Sequence, residues 1–158
     1  MVKTQIISVG KIKERSTQDL ISEYQKRLSK YTAFESNEVK DLALPDNPSE
    51  KEIEAVLKKE AESIMKLLPK GLIRVAMTIN GRQYASEEFA EFIEKNKQKG
   101  GICFIIGSSH GLHKSVTDAC DTEVSLSKMT LPHNLARLIL TEQIYRGFKI
   151  LSNENYHK

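Results

Sequence analysis

Residues 102–106 (Ile102, Cys103, Phe104, Ile105 and Ile106) form an unbroken apolar run between Gly101 and Gly107. A strand that shows one face to water alternates polar and apolar residues, so a short uninterrupted run bounded by glycines suits a strand covered on both faces. Such a strand lies inside a sheet with helices packed above and below it. The chain is therefore expected to be an α/β protein.

The rest of the chain follows that pattern. Residues 2–9 alternate as a strand, and residues 16–30 place Leu20, Ile21, Tyr24 and Leu28 at helical spacing. A weaker strand, residues 33–39, precedes a polar loop. Ser49 and Glu52 have the spacing of a capping box, opening a long helix that Pro69 and Gly71 end. Residues 72–79 predict a third strand, with Asn80 and Gly81 as a turn after it. Ser86, Glu87 and Glu88 cap a helix that runs through Phe89, Phe92 and Ile93. Residues 122–126 are a fifth strand, and Pro132 opens a last helix to about residue 151. Regular alternation of strand and helix predicts a mostly parallel sheet flanked by helices, in a single domain over residues 1–158.

Composition narrows the setting. A chain of 158 residues with 39% hydrophobic and 28% charged residues has enough apolar material for one core, and 24 Lys+Arg against 21 Asp+Glu permits an RNA partner without demanding one. Cys103 sits in the apolar strand and Cys120 has no second thiol nearby, so the chain reads as a protein of the reducing cytoplasm. It has neither a signal-peptide pattern at its start nor a run of 18 apolar residues, and no membrane role is expected.

Two loops concentrate small and polar residues at strand ends, where open α/β sheets bind ligands. The first, Gly107, Ser108, Ser109, His110 and Gly111, matches the G-x-S-x-G nucleophile elbow, and Asp118 or Asp121 followed by His133 completes the chain order of an α/β-hydrolase. Against that reading, the chain is short and residues 111–114 are a poor start for the helix that an elbow needs. The same loop lacks the third glycine of a dinucleotide fingerprint. His110 and His113 read as solvent-facing loop histidines rather than as metal ligands. The last helix mixes Arg137, Glu142 and Arg146 with Leu135, Leu138, Ile139, Tyr145 and Phe148, an amphipathic pattern with its charged side in water. Beyond it a tail holding Tyr156, His157 and Lys158 either frays or is held by a partner.

With those residues in view, the sequence resembles the RlmH family of SPOUT-class methyltransferases, which methylate N3 of a pseudouridine in 23S ribosomal RNA. Matching blocks run in order along the chain: Ile7-Ser8-Val9-Gly10-Lys11-Ile12-Lys13, then Glu23-Tyr24-Gln25-Lys26-Arg27-Leu28, Ile106-Gly107, residues 125–133, Glu142-Gln143-Ile144-Tyr145-Arg146, and Tyr156-His157-Lys158. The resemblance implies a SPOUT-type sheet with a C-terminal trefoil knot, a homodimer, and ribosomal RNA within the assembled ribosome as partner. It places S-adenosylmethionine against Met77, Gly107, Leu126, Ser127, Lys128, Met129, Thr130 and Leu131, with no metal. On the RNA side it implies His133, Arg137, Glu142, Arg146, Tyr156 and Lys158. Arg146 or Lys158 would stabilise the developing imidate, and His133 or Glu142 would take the proton. Where the family usually has a second glycine, this chain has Ser108, a residue small enough to be accommodated. A SPOUT-like dimer that holds RNA or cofactor without turnover is the alternative reading.

Overall fold

The computed structural model describes residues 1–157. Ten elements alternate along it: β1 (Lys3–Val9), α1 (Arg15–Leu28), β2 (Ala33–Val39), α2 (Glu50–Leu67), β3 (Ile73–Gln83), α3 (Ser86–Lys97), β4 (Gly101–Ile106), α4 (Lys114–Asp118), β5 (Thr122–Ser125) and α5 (His133–Leu151). The strands form one five-stranded sheet in the order β2-β1-β4-β3-β5, and every pairing is parallel. All six residues of β4 are buried. Ile102, Phe104 and Ile106 point into a core with Leu28 of α1, Phe89 and Ile93 of α3, and Leu140 and Ile144 of α5. Cys103 and Ile105 point the other way, into a second core with Ala61 and Ile64 of α2 and Val116 of α4. The two cores are why the run is apolar at every position. No helix among the described residues is long and apolar enough to cross a membrane.

Burial also determines the thiol chemistry. It pushes the Cys103 thiol up to about 12 and that of Cys120 up to about 11. The thiolate is the reactive form. Cys103 is therefore expected to resist iodoacetamide in the native protein and to react on unfolding, and a native adduct at Cys103 in a mass spectrum would contradict this packing.

Local chemistry sets the element ends. Ser49 Oγ accepts from the Glu52 amide at 3.2 Å while the Glu52 carboxylate accepts from the Ser49 amide at 3.1 Å, closing the expected capping box of α2. At α3 the cap falls one residue earlier than expected. Glu88 accepts from the Ala85 amide at 2.8 Å, and Ser86 lies inside the helix with its hydroxyl donating to Gln143 of α5 at 2.8 Å. Pro132 sits at the N-cap of α5, as its missing amide allows.

Asn80 and Gly81 do not form the expected turn. Neither has positive φ, which a tight Asn-Gly turn requires, and both belong to β3. Met77 and Arg82 both register with Val124 of β5, so residues 78–81 make a detour between the two pairings. The detour lays Gly81 against β5, where a Cβ would stand 2.6 Å from the Val124 backbone. Glycine is there for close approach, a role that the dipeptide signal does not distinguish from a turn.

The tail also departs from expectation, because its own chain orders it. Tyr156 stands edge-on to Tyr145 with ring centroids 5.0 Å apart, lies under the Arg146 guanidinium at 4.8 Å, and donates to Glu142 Oε1 at 3.1 Å. Asn153 takes a left-handed turn at φ 54°, and Glu154 then pairs with Lys149 and accepts from the Tyr31 hydroxyl at 2.7 Å. Lys158 lies outside the described residues.

Candidate functional site

Three adjacent strand ends build a cup. Met77 of β3 registers with both Ile106 of β4 and Val124 of β5, so Gly107 and Leu126, one and two residues further along, emerge beside it. Gly107 is buried, and a Cβ there would meet the Gly111 carbonyl oxygen at 2.4 Å, because the loop folds back through a bridge between Ser108 and Gly111. Gly111 carries the positive φ of that turn, at 84°, while Ser108 stays at negative φ, a conformation open to serine.

The third wall is the loop after β5. Ser125 Oγ donates to the Ser127 carbonyl at 3.0 Å, and Ser127 Oγ accepts from the Met129 amide at 3.0 Å. Among the described residues, positions 127–131 make no backbone-to-backbone hydrogen bond outside the strand ladders. The loop is thus pinned by its own serines while its other amides and carbonyls stay available. Leu126 and Met77 are half-buried beside the main core, Lys128 and Thr130 are exposed, and Met129 is 78% exposed. Lys128 also borders a cleft of about 530 Å³ along Ile79, Asn80, Gly81 and Gln83. An S-adenosylmethionine molecule fits these residues: free backbone groups suit adenine, Gly107 lets the 107–111 loop fold back tightly beside the strand end, and apolar side chains suit the region around a sulfonium.

The elbow does not assemble into a triad. Ser109 is exposed, Asp118 pairs with Lys114 at 3.0 Å, and Asp121 accepts from the Arg74 amide at 2.8 Å, so neither acid orients His133. Ser109→Ala is accordingly expected to leave methyl transfer within about twofold, in the range of an ordinary surface change. Labelling of Ser109 by a fluorophosphonate probe would contradict this. His110 is exposed, as expected of a loop histidine. His113 is not solvent-facing. Its Nδ1 accepts from the Ser115 amide at 3.1 Å, capping α4, and its Nε2 lies 2.7 Å from Glu54.

Helix α5 divides the remaining candidates between its two ends. His133 starts the helix beside the cup, where a Cβ on Gly10 would lie 3.6 Å from both His133 Nε2 and the Asp41 carboxyl carbon. Arg137, one turn on, donates to Glu38 of β2 at 2.8 Å, and its side chain is only 12% exposed. Arg146 stands thirteen positions beyond His133, about 20 Å along the axis at 1.5 Å per residue. There Glu142 Oε1 accepts from Arg146 Nε at 3.0 Å, from Arg146 Nη2 at 2.6 Å and from Tyr156, while its Oε2 accepts from Gln143 at 2.7 Å. His157 joins the cluster through Arg146 at 3.2 Å and Glu87 at 2.6 Å. The hydrogen bond to Glu142 raises the Arg146 pKa, and burial, followed by hydrogen bonding to Tyr24 and the charge of Glu142, raises that of Tyr156. Both groups hold their protons at neutral pH.

Neither Glu38 nor Glu87 was identified as a site neighbour from sequence, since each reaches its partner only through the packing of α5. Glu60 of α2, buried next to the 107–111 loop, was likewise missed.

A sequence model described as "Predicted SPOUT methyltransferase" matches residues 2–157. The chain belongs to the SPOUT methyltransferase family. Among its SPOUT relatives, the ribosomal RNA large subunit methyltransferase H of Streptococcus uberis is 46% identical over 99% of this chain and 100% of its own length. The protein of the same name from Clostridium beijerinckii is 46% identical over 97% of this chain and 98% of its own. Solved structures agree on the fold. A probable methylase family protein from Haemophilus influenzae superposes with a TM-score of 0.56 at 12% identity, covering 100% of this chain and 72% of that one. A probable methyltransferase from Bordetella pertussis gives 0.57 at 11% identity, covering 93% and 95%.

Proposed function

We propose that this SPOUT protein is an S-adenosylmethionine-dependent methyltransferase of the cytoplasm that methylates N3 of a pseudouridine in 23S ribosomal RNA within the assembled ribosome. The observation that carries the reading is the convergence of Met77, Gly107 and the 126–131 loop on one cup, in a chain that aligns end to end with relatives named as large-subunit RNA methyltransferases. A C-terminal trefoil knot, implied by the family resemblance, belongs to this reading.

When bound, S-adenosylmethionine supplies a methyl group on a sulfonium, ready for in-line displacement by a nitrogen. Free backbone groups of Lys128, Thr130 and Leu131 would hold it, Met77 and Leu126 would flank it, and Gly107 lets the 107–111 loop close beside it. The chain must also remove the N3 proton and neutralise the charge that develops on the imide. Of the two proton acceptors considered, Glu142 already has four donors on its two oxygens, so it positions Arg146 and Tyr156. His133, beside the cup, takes the proton. Arg146 faces the imide oxygens, and Lys158 is the second cation of this reading.

A single chain cannot bring both groups to one methyl, because the helix holds them about 20 Å apart. A homodimer in which the Arg146 cluster of one copy meets the cup of the other brings them together. Its apolar contact on α5 is narrow. Leu140, Ile144, Tyr145 and Phe148 are buried in their own core, leaving Leu135 at 42% and Ile139 at 36% exposure on α5.

The function is tested by primer extension on ribosomes that lack the modification. A methyl on N3 blocks the pairing edge of the base, so the expected result is a reverse-transcription stop that requires both the protein and S-adenosylmethionine. Absence of any stop or label in 23S RNA would refute the assignment.

A further inference from the structure

Glu60 is the buried acid that the reading above leaves unused. It is 3% exposed on α2, and one carboxylate oxygen, Oε2, accepts from the Leu42 amide at 3.2 Å. The other, Oε1, is buried without a closed hydrogen bond. An unpaired buried carboxylate oxygen is costly, and its presence asks for a partner. Ser108 is the hydroxyl that acts on this carboxylate, and Asp41 and His110 are the charged groups that act on it. Burial raises the Glu60 pKa, and the Leu42 and Ser108 groups oppose that rise. The Ser108 carbonyl accepts from the Gly111 amide at 2.9 Å, closing the loop over Gly107.

We infer that Glu60 is a positioning residue for the cofactor loop: Oε1 takes a hydrogen bond from the Ser108 hydroxyl as residues 107–111 seat against S-adenosylmethionine, fastening that loop to α2 and to the β2–α2 connection. The inference rests on the cup being the cofactor site. In this chain the serine hydroxyl and the buried acid form a matched pair that ties the loop to α2. Each group is useful only with the other, so their effects must be coupled.

The test is calorimetric titration of the full-length protein with S-adenosylmethionine, with unfolding midpoints recorded alongside. Ser108→Ala removes only the hydroxyl from a surface loop and is expected to weaken binding roughly tenfold, in the range of one hydrogen bond to a charged acceptor. Glu60→Met is expected to weaken it by a similar factor, and the double variant to be no worse than the weaker single. Glu60→Gln, whose amide oxygen still accepts from Leu42 or Ser108, should restore most of the affinity. Wild-type binding with unchanged affinity in Ser108→Ala, or losses that multiply in the double variant, would overturn the inference. Failure of the wild type to bind would instead overturn the cup as cofactor site, and the inference with it. If Glu60→Met does not fold, the affinities of Ser108→Ala and Glu60→Gln decide the matter alone.

Discussion

A Gly107→Val variant is expected to stay folded and to lose methyl transfer by roughly a hundredfold or more, the scale set by displacing a bound reactant by about 1 Å. The first atom of the new side chain would stand 2.4 Å from the Gly111 carbonyl oxygen and 3.0 Å from the Leu112 side chain. Backbone cannot tolerate such an approach, so the 107–111 loop must open. The loop can do so without unfolding the sheet, because Gly111 is exposed at its tip and the loop closes through the Ser108–Gly111 bridge, outside the sheet ladder. The loss should therefore appear as weakened S-adenosylmethionine binding with little change in the unfolding midpoint. A variant that binds the cofactor normally would show that Gly107 does not border the cup.

Arg146→Ala is expected to have an effect of similar size for a different reason. A cation held over a developing charge contributes roughly a hundred- to a thousandfold to the rate when the site excludes water. The Arg146 guanidinium is fixed by two hydrogen bonds to Glu142 and by the Tyr156 ring, so it is oriented before any substrate arrives. The variant should keep most of its cofactor affinity and lose kcat. Arg146→Lys should recover only part of the rate, since an ammonium keeps the charge but not the paired geometry. Equal loss of cofactor binding and rate in Arg146→Ala would place the guanidinium at the cofactor instead.

How far the sequence announced this molecule depends on the range of the forces involved. The sheet was legible because the signals that define it are local: a doubly apolar β4, a capping box at Ser49 and a proline at the start of α5 act over a few residues. Asn80 and Gly81 misled because the same dipeptide serves a turn or a close crossing, and only the proximity of Val124 decides which. The tail misled in the same way. Its order comes from Glu142 and, about one turn on, Tyr145 and Arg146 of α5, a surface that exists only once the helix is packed.

The candidate positions came from the family resemblance rather than from local signals in the chain. Their division into two groups was legible in neither. His133 and Arg146 stand in adjacent blocks of the sequence, but the length of α5 converts that separation into distance, and the ion pair of Arg137 with Glu38 depends on which face of β2 the helix crosses. Glu60 was silent for a related reason. In a helix rich in glutamate, nothing in the sequence marks the one that points inward.

Mixed dimers test the central claim most directly, that one site is built from the cup of one chain and the Arg146 cluster of another. One chain carries Gly107→Val and the other Arg146→Ala, and differently tagged copies allow the heterodimer to be purified from the two inactive homodimers. In the heterodimer, the intact cup of the Arg146→Ala chain faces the intact cluster of the Gly107→Val chain, so one of the two sites is complete. Recovery to about half of the wild-type rate is the predicted result, by the two-fold symmetry of such a dimer. A heterodimer as inactive as its parents would mean that each cup works with its own chain's arginine, and the shared site would be wrong.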